Sequence, residues 1–406
     1  MRVAALLVGL LAIGGGTARA DDRFELAGMF DVRAVSADAT PSFLNGGLGR
    51  TRFDSDHEGL RLGRAFALGR VRLTDTLSAS AVIEAYGDGD KTPVGVTEAW
   101  VDWRPFPANA VRWRVRAGAF YLPVSLEHRA AGWTSPYTLS ASAINTWVGE
   151  EFRVLGTEIE ARWLGASSGY RGDVALVGGV YGWNDPAGAI IAARGWALTD
   201  RPTLLFSGLG RPRTELFHEL DGRPGYYAGV SWRHSDLFEL RALRYDNRAD
   251  PAASDLAQQN FGWETRFWNV GVRIEPGTHW TLIAQHLDGK TFVGADADGP
   301  NQYALRLSSW FGLLSGSWGR HRVTARYDHF SNRQDSGFGP GPNSDDTGHA
   351  VTIAWFEQLD PHWELGAEWI RVRSRFGPRR DYGLADAATD RQLQLALRYR
   401  FHLEGG

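Results

Sequence analysis

The feature that most constrains this chain is an alternation of period two, held for about ten residues, broken, and resumed almost to the end. From Arg23 to Arg33, Phe24, Leu26, Gly28, Phe30 and Val32 take the even positions, while Arg23, Glu25, Asp31 and Arg33 take odd ones. The same pattern returns in segments such as "VRWRVRAGAF", "TEIEARW", "LFELRALRY", "RVTARYDHF" and "RQLQLALRYRF". Each segment is a strand with one apolar and one polar face. A soluble propeller or sandwich would also alternate. Against it stand the continuity of the apolar face in nearly every segment and a last strand carrying Leu393, Leu395, Leu397, Tyr399 and Phe401 on one side.

The breaks alternate in length. Tight ones at "TDT", "PFPAN", "TDRP", "HSD", "EPGTH" and "LDPH" are separated by long ones such as 38–57, 121–152, 247–260 and 376–388. Short turns at one end and long loops at the other are the pattern of an all-β, transmembrane antiparallel barrel with periplasmic turns and extracellular loops. Counting hairpins predicts about 18 strands, or about 16 if the weak pair around Ile190 and Leu204 is not really two strands. A barrel of that size is expected to enclose an aqueous channel.

Arg2, the apolar run Val3–Ile13 and the Ala18-x-Ala20 pattern read as a secretory leader over 1–20, leaving 21–406 as a single barrel domain in the bacterial outer membrane. The absence of cysteine excludes disulfides, iron–sulfur clusters and thiolate zinc sites. The formal net charge of −3 argues against a nucleic-acid partner. Lys91 and Lys290 are the only lysines, so positive charge rests almost entirely on arginine. Outer-membrane lipids, lipopolysaccharide and small hydrophilic solutes are the expected partners, and no cofactor is expected.

The arginines of "VRWRVRAG" belong on the lumen side, because each would cost about 2–4 kcal/mol near the lipid midplane. Pairing across "PFPAN" with apolar residues together predicts Asp102 opposite Arg112, Trp100 opposite Arg114 and Glu98 opposite Arg116. Closing the long loop symmetrically sets Arg116 against Glu158, Arg114 against Glu160 and Arg112 against Arg162. The expected result is a charge-compensated wall near the constriction, faced by Glu127, His128, Arg129, Glu150 and Glu151 of the inward-folding loop 121–152. Arg398 and Arg400 oppose the apolar parity of the last strand and are expected in the lumen near the periplasmic end. Arg371, Arg373 and Arg375 share parity with Trp369, so either a bulge flips them inward or, as the preferred reading, they point outward above the hydrocarbon, toward lipopolysaccharide phosphates.

Across "GAFYLPVSLEH" and "RVLGTEIEARW" the chain resembles the phosphate- and polyphosphate-selective porins of Gram-negative bacteria, with matches at Gly118, Pro123, Ser125, Glu127, Arg153 and Gly156. The resemblance implies a passive, trimeric diffusion channel whose third extracellular loop narrows the pore, with anion or phosphate selectivity as an alternative. The chain departs from that family in its near lack of lysine and in the "HLEGG" that follows Phe401.

"DHFSN" supplies a different alternative. His329 and Ser331 share one strand face, as base and nucleophile do in some outer-membrane lipid hydrolases; ordinary rim polarity is the preferred reading, and no enzyme activity is expected. Asp345, Asp346 and His349 in "NSDDTGH" match no metal-binding spacing, and no phosphate-cradling glycine loop is present.

Overall fold

The computed structural model describes residues 23–404 except 39, 89–91, 208–214, 236, 295–302 and 337–343, so the expected leader lies outside the described residues. The wall consists of β1 (Phe24–Ala37), β2 (Gly59–Arg72), β3 (Leu77–Tyr86), β4 (Val94–Trp103), β5 (Val111–Tyr121), β6 (Arg153–Trp163), β7 (Gly172–Gly182) and β8 (Gly225–His234). It continues through β9 (Phe238–Asp246), β10 (Glu264–Ile274), β11 (Trp280–Val293), β12 (Tyr303–Trp318), β13 (His321–Ser336), β14 (Asp346–Gln358), β15 (Trp363–Phe376) and β16 (Ala387–Glu404). Each strand pairs antiparallel with its neighbours in sequence, and β1 closes on β16 from Leu26↔Leu403 to Ala37↔Gln392. No helix among the described residues is long and apolar enough to cross a membrane.

This is a closed barrel of 16 strands, not 18. The two extra strands expected around Ile190 and Leu204 are part of the connection 183–224, which turns inward. There Ala189–Arg194 form a short helix (α2), and Ile190, Ile191, Trp196, Leu198 and Leu204 are buried inside the barrel. The stretch "GAIIAARGWAL" lacks period two, and Gly188 and Gly195 (φ 117° and 71°) break any extended run. Its apolar residues pack inside the barrel. The "TDRP" expected as a tight turn lies in the same inward connection.

The outer face carries the apolar members of the alternation. Trp268 and Val270 on β10, Leu282 on β11, Ile353 on β14 and Leu393 and Leu395 on β16 are 40–55% exposed, while Phe267, Asn269, Ile283, Thr352, Gln392 and Gln394 on the opposite parity are buried. So large a continuous apolar surface needs a lipid or protein cover.

The inside is filled rather than open. Three connections fold into it: 38–58, 122–152 and 183–224. The second carries helix α1 (Ala143–Glu151), whose first turn is capped by the Ser142 hydroxyl accepting from the Asn145 amide at 3.3 Å. Trp147 of α1 packs edge-on against Phe152 (4.5 Å) and Trp196 (5.4 Å), and Phe152 against Tyr245 (4.9 Å), which stacks on Phe267 (4.8 Å). With inward Tyr181, Tyr227, Leu287, Leu307 and Phe311, these residues form one buried apolar cluster. Each large side chain so buried contributes about 1.5–3 kcal/mol, which fixes both connections to the β6–β12 half of the wall.

Candidate functional site: a polar seam inside the barrel

On the other half of the wall the contact between connections and strands is ionic. Asp31 and Arg33 share the inward face of β1, two residues apart. Arg33 Nε donates to Asp31 Oδ1 at 2.9 Å, its Nη1 to Gln394 Oε1 at 2.9 Å and its Nη2 to Asp200 Oδ2 at 2.6 Å. Asp200, on connection 183–224, also accepts from Arg52 of connection 38–58 at 3.1 Å. Asp88 then bridges Arg52 (3.3 Å) to Arg201 (2.6 Å). Arg398 closes the chain by donating to Asp31 at 2.9 Å. Beside it Arg64 of β2 pairs with Glu84 of β3, which also accepts from Thr97 at 3.0 Å.

Burial alone would push the Asp200 carboxyl up, but Arg33, Arg52 and Arg64 outweigh it and hold the group well below the usual carboxylate range. The seam therefore holds closely balanced charge: Arg33, Arg52, Arg64, Arg201 and Arg398 against Asp31, Glu84, Asp88 and Asp200. Here two inward connections meet the wall mainly through arginine–carboxylate pairs, packed around the buried Tyr86 ring, which lies 5.5 Å from Arg52, 5.5 Å from Arg64 and 4.2 Å from Arg201.

The sequence-predicted ladder lies elsewhere. β5 starts at Val111, beside the short turn, so Arg112 is exposed at the turn end and Arg114 and Arg116 stand progressively deeper. Arg112 faces Arg162, Arg114 faces Glu160 and Arg116 faces Glu158 across β5 and β6. The expected register on the β4 side is corrected by four residues: Asp102 lies opposite Arg116, Trp100 opposite Gly118, and Glu98 beyond the paired stretch. Pro105 and Pro107 provide no amide donors to the ladder, so β4 ends at Trp103 and the hairpin closes asymmetrically. Asp102 nevertheless accepts from Arg114 at 2.8 Å, Arg116 donates to Glu158 at 2.9 Å, and Glu160 pairs with Arg162 at 3.1 Å. Glu98 accepts from the Tyr121 amide at 3.2 Å. At the turn end Arg112 is exposed and Arg114 and Arg162 are partly so, while Glu158 deeper in is buried.

The loop residues expected to face that ladder do not. Glu127 forms a buried pair with Arg326 of β13 at 2.5 Å and accepts from Asn145 Nδ2 at 2.9 Å. His128 stacks on Trp133, Arg129 pairs with Glu239 of β9, and Glu150 pairs with Arg194 of α2. Glu151 accepts from the Gly188 and Ile190 amides at 3.0 and 2.9 Å. The polar groups of 122–152 are spent on fastening that connection across the barrel, because burying them unpaired would cost more than the loop gains. Arg400 does face inward and pairs with Glu364 at 3.0 Å.

The matched glycines are register partners: Gly118 (φ 132°) faces Gly156, and a Cβ on either would enter the backbone of the next strand. Lys290 points outward, opposite Arg266 and Arg306, so it does not line the lumen. His329 and Ser331 also point outward, and no hydrogen bond joins them. Asp346 turns inward to Arg50 at 2.8 Å, while His349 turns out. Among the described residues Asp185, Glu219 and Asp221 approach one another closely enough to hold a cation, but their oxygens accept from the backbone amides of Leu220, Trp183, Gly222, Arg223 and Asp250.

No family model and no curated protein matches the chain. Solved structures of similar fold include the outer membrane channel DcaP of Acinetobacter baumannii, with a TM-score of 0.56 at 12% identity over 93% of this chain and 97% of that one. The anion-selective porin of Comamonas acidovorans aligns with a TM-score of 0.52 at 14% identity, covering 93% and 99%. The trimer form of OmpT, an outer membrane protein of Vibrio cholerae, aligns at 0.51 and 9% identity, covering 93% and 100%. At such identities the likeness is one of fold: this chain shares its overall architecture with these outer-membrane proteins.

Proposed function

We propose that the protein is an outer-membrane porin of narrow bore, passing small hydrophilic solutes by passive diffusion along the polar seam, with its turns in the periplasm and its long connections outside. The observation that carries this reading is the division of the interior. One half is sealed by rings and aliphatic side chains; the other is filled by buried, balanced arginine–carboxylate pairs, which solvate water and small polar solutes at lower cost than rings do. The constriction is assigned to Arg33, Arg52, Asp88, Asp200 and Arg201, with Arg112, Arg114, Arg116 and Glu158 lining the periplasmic approach. Fixed charges at a narrow point sort ions and orient dipolar solutes.

The named relatives support a channel role, and the trimeric OmpT form supports a homotrimer. A phosphate-selective pore would call for excess positive charge along the lumen; the pairing of the seam favours weak selectivity instead. Liposomes containing the protein are expected to swell with the smallest sugars and amino acids and to exclude disaccharides. Absence of swelling with every solute would overturn the proposal.

A further inference from the structure

We infer that the outer surface of β13–β16 carries a binding site for a phosphorylated lipid of the outer leaflet. It rests on the outer-membrane placement above, but not on conduction. Arg371, Arg373 and Arg375 keep the outward parity of Leu365, Ala367 and Trp369 on β15. The register places Arg371 directly opposite Arg391, and Arg373 between His349 and Thr389. Cations directly opposite each other on one sheet face repel, so this arrangement is unfavourable unless an anion lies between them.

The protein supplies few such anions. Arg391 pairs with Asp38 at 2.6 Å, and Arg375 comes only within 4.0 Å of Asp386. Among the described residues Arg371 and Arg373 make no ion pair, and the Nε of Arg371 is buried without a hydrogen-bond partner. Above Arg371, a groove of about 410 Å³ opens outward between His329, His349, Arg373, Arg375 and Thr389.

Its position selects the ligand. Arg371 lies eight residues from Trp363, the outward aromatic at the turn end of β15, and Arg391 eight from Tyr399 on β16. Tilted strands rise about 20 Å over that length, close to the top of an apolar band ~25 Å tall. Directly below the cations the outward residues are Trp369, Ile353, Leu393 and Leu395. A soluble anion would use the groove alone. A lipid uses both parts, its phosphate on the guanidinium groups and its acyl chains along the apolar strip.

The test uses the full protein in detergent and native mass spectrometry with a diphosphorylated glucosamine-disaccharide lipid, the same lipid without phosphates, and inorganic pyrophosphate. The parent protein is expected to retain the phosphorylated lipid and not the dephosphorylated one, with no displacement by millimolar pyrophosphate. Arg371→Gln and Arg373→Gln are each expected to weaken binding about ten-fold, with Arg72→Gln, at the turn end of β2, unchanged. Equal retention of the dephosphorylated lipid, or unchanged binding by both variants, would overturn the inference. So would displacement by pyrophosphate, which would mark a free-anion site, or loss of oligomers with lipid retention intact, which would mark a subunit contact. None of these readouts depends on whether the barrel conducts.

Discussion

Replacing Glu127 by alanine removes the anion that fastens connection 122–152 to the far wall. Glu127 and Arg326 are both fully buried, at 2.5 Å. The carboxylate also accepts from Asn145 Nδ2 (2.9 Å), the Ser142 amide (3.2 Å) and the Thr138 hydroxyl (3.2 Å). Breaking a buried pair by removing one partner costs about 3–5 kcal/mol. Arg326 keeps Asp328 at 2.8 Å, which sets the loss nearer the lower figure. The barrel ladder is untouched, so the loss falls on local opening of the connection, whose open population rises roughly 100-fold for about 3 kcal/mol. Single-channel recording in planar bilayers is expected to show frequent sojourns at higher conductance. Burial pushes the Glu127 carboxyl up, but Arg326, His128 and the hydrogen bonds from Asn145 and Ser142 hold it down to about 2. The contribution of the pair is thus present above about 4.5 and lost as pH falls toward 2. The parent should acquire the variant's openings at low pH. Identical traces from parent and variant at neutral pH would refute the assignment of this pair as the fastening.

Asp200→Asn leaves Arg33 and Arg52 without their shared anion, and the reversal potential in a salt gradient should move toward anion selectivity; no movement would place the ion path elsewhere. Asp185→Asn tests connection 183–224. Burial, then Glu219 and Asp221, push the Asp185 carboxyl from 3.8 up to about 7. Because the folded group holds its proton more tightly, its contribution is complete below about 3.8 and is lost as pH rises through about 7. Protease cleavage within 183–224 should rise over that window in the parent and stay flat in the variant; the same rise in both would exclude the carboxyl as its cause.

The barrel was legible because lipid imposes period two on every strand that touches it, and β1, β5, β10 and β16 follow it closely. The β5–β6 register was equally legible, since apolar residues must stay on one face across a pair. The asymmetric β4–β5 closure was not, because two prolines decide it through missing donors while leaving the hydrophobic pattern intact. The filled interior was not legible for a related reason. Leu305, Leu307, Phe311 and Leu313 on β12 face inward, yet they read as part of a generally apolar strand beside Trp310 and Leu314. Inward apolar residues signal a filled lumen only once it is known which parity faces in. The seam left a weaker trace: Arg33 on the polar parity of β1 was visible, but its partners Asp200 and Arg52 lie in connections without periodicity.

The most direct test of the central claim, a barrel narrowed to a balanced polar seam, is the single-channel conductance and zero-current potential of the parent protein in a potassium chloride gradient. A small conductance with a potential close to zero is expected. A large conductance with strong anion selectivity would contradict both the filled interior and the charge balance of the seam.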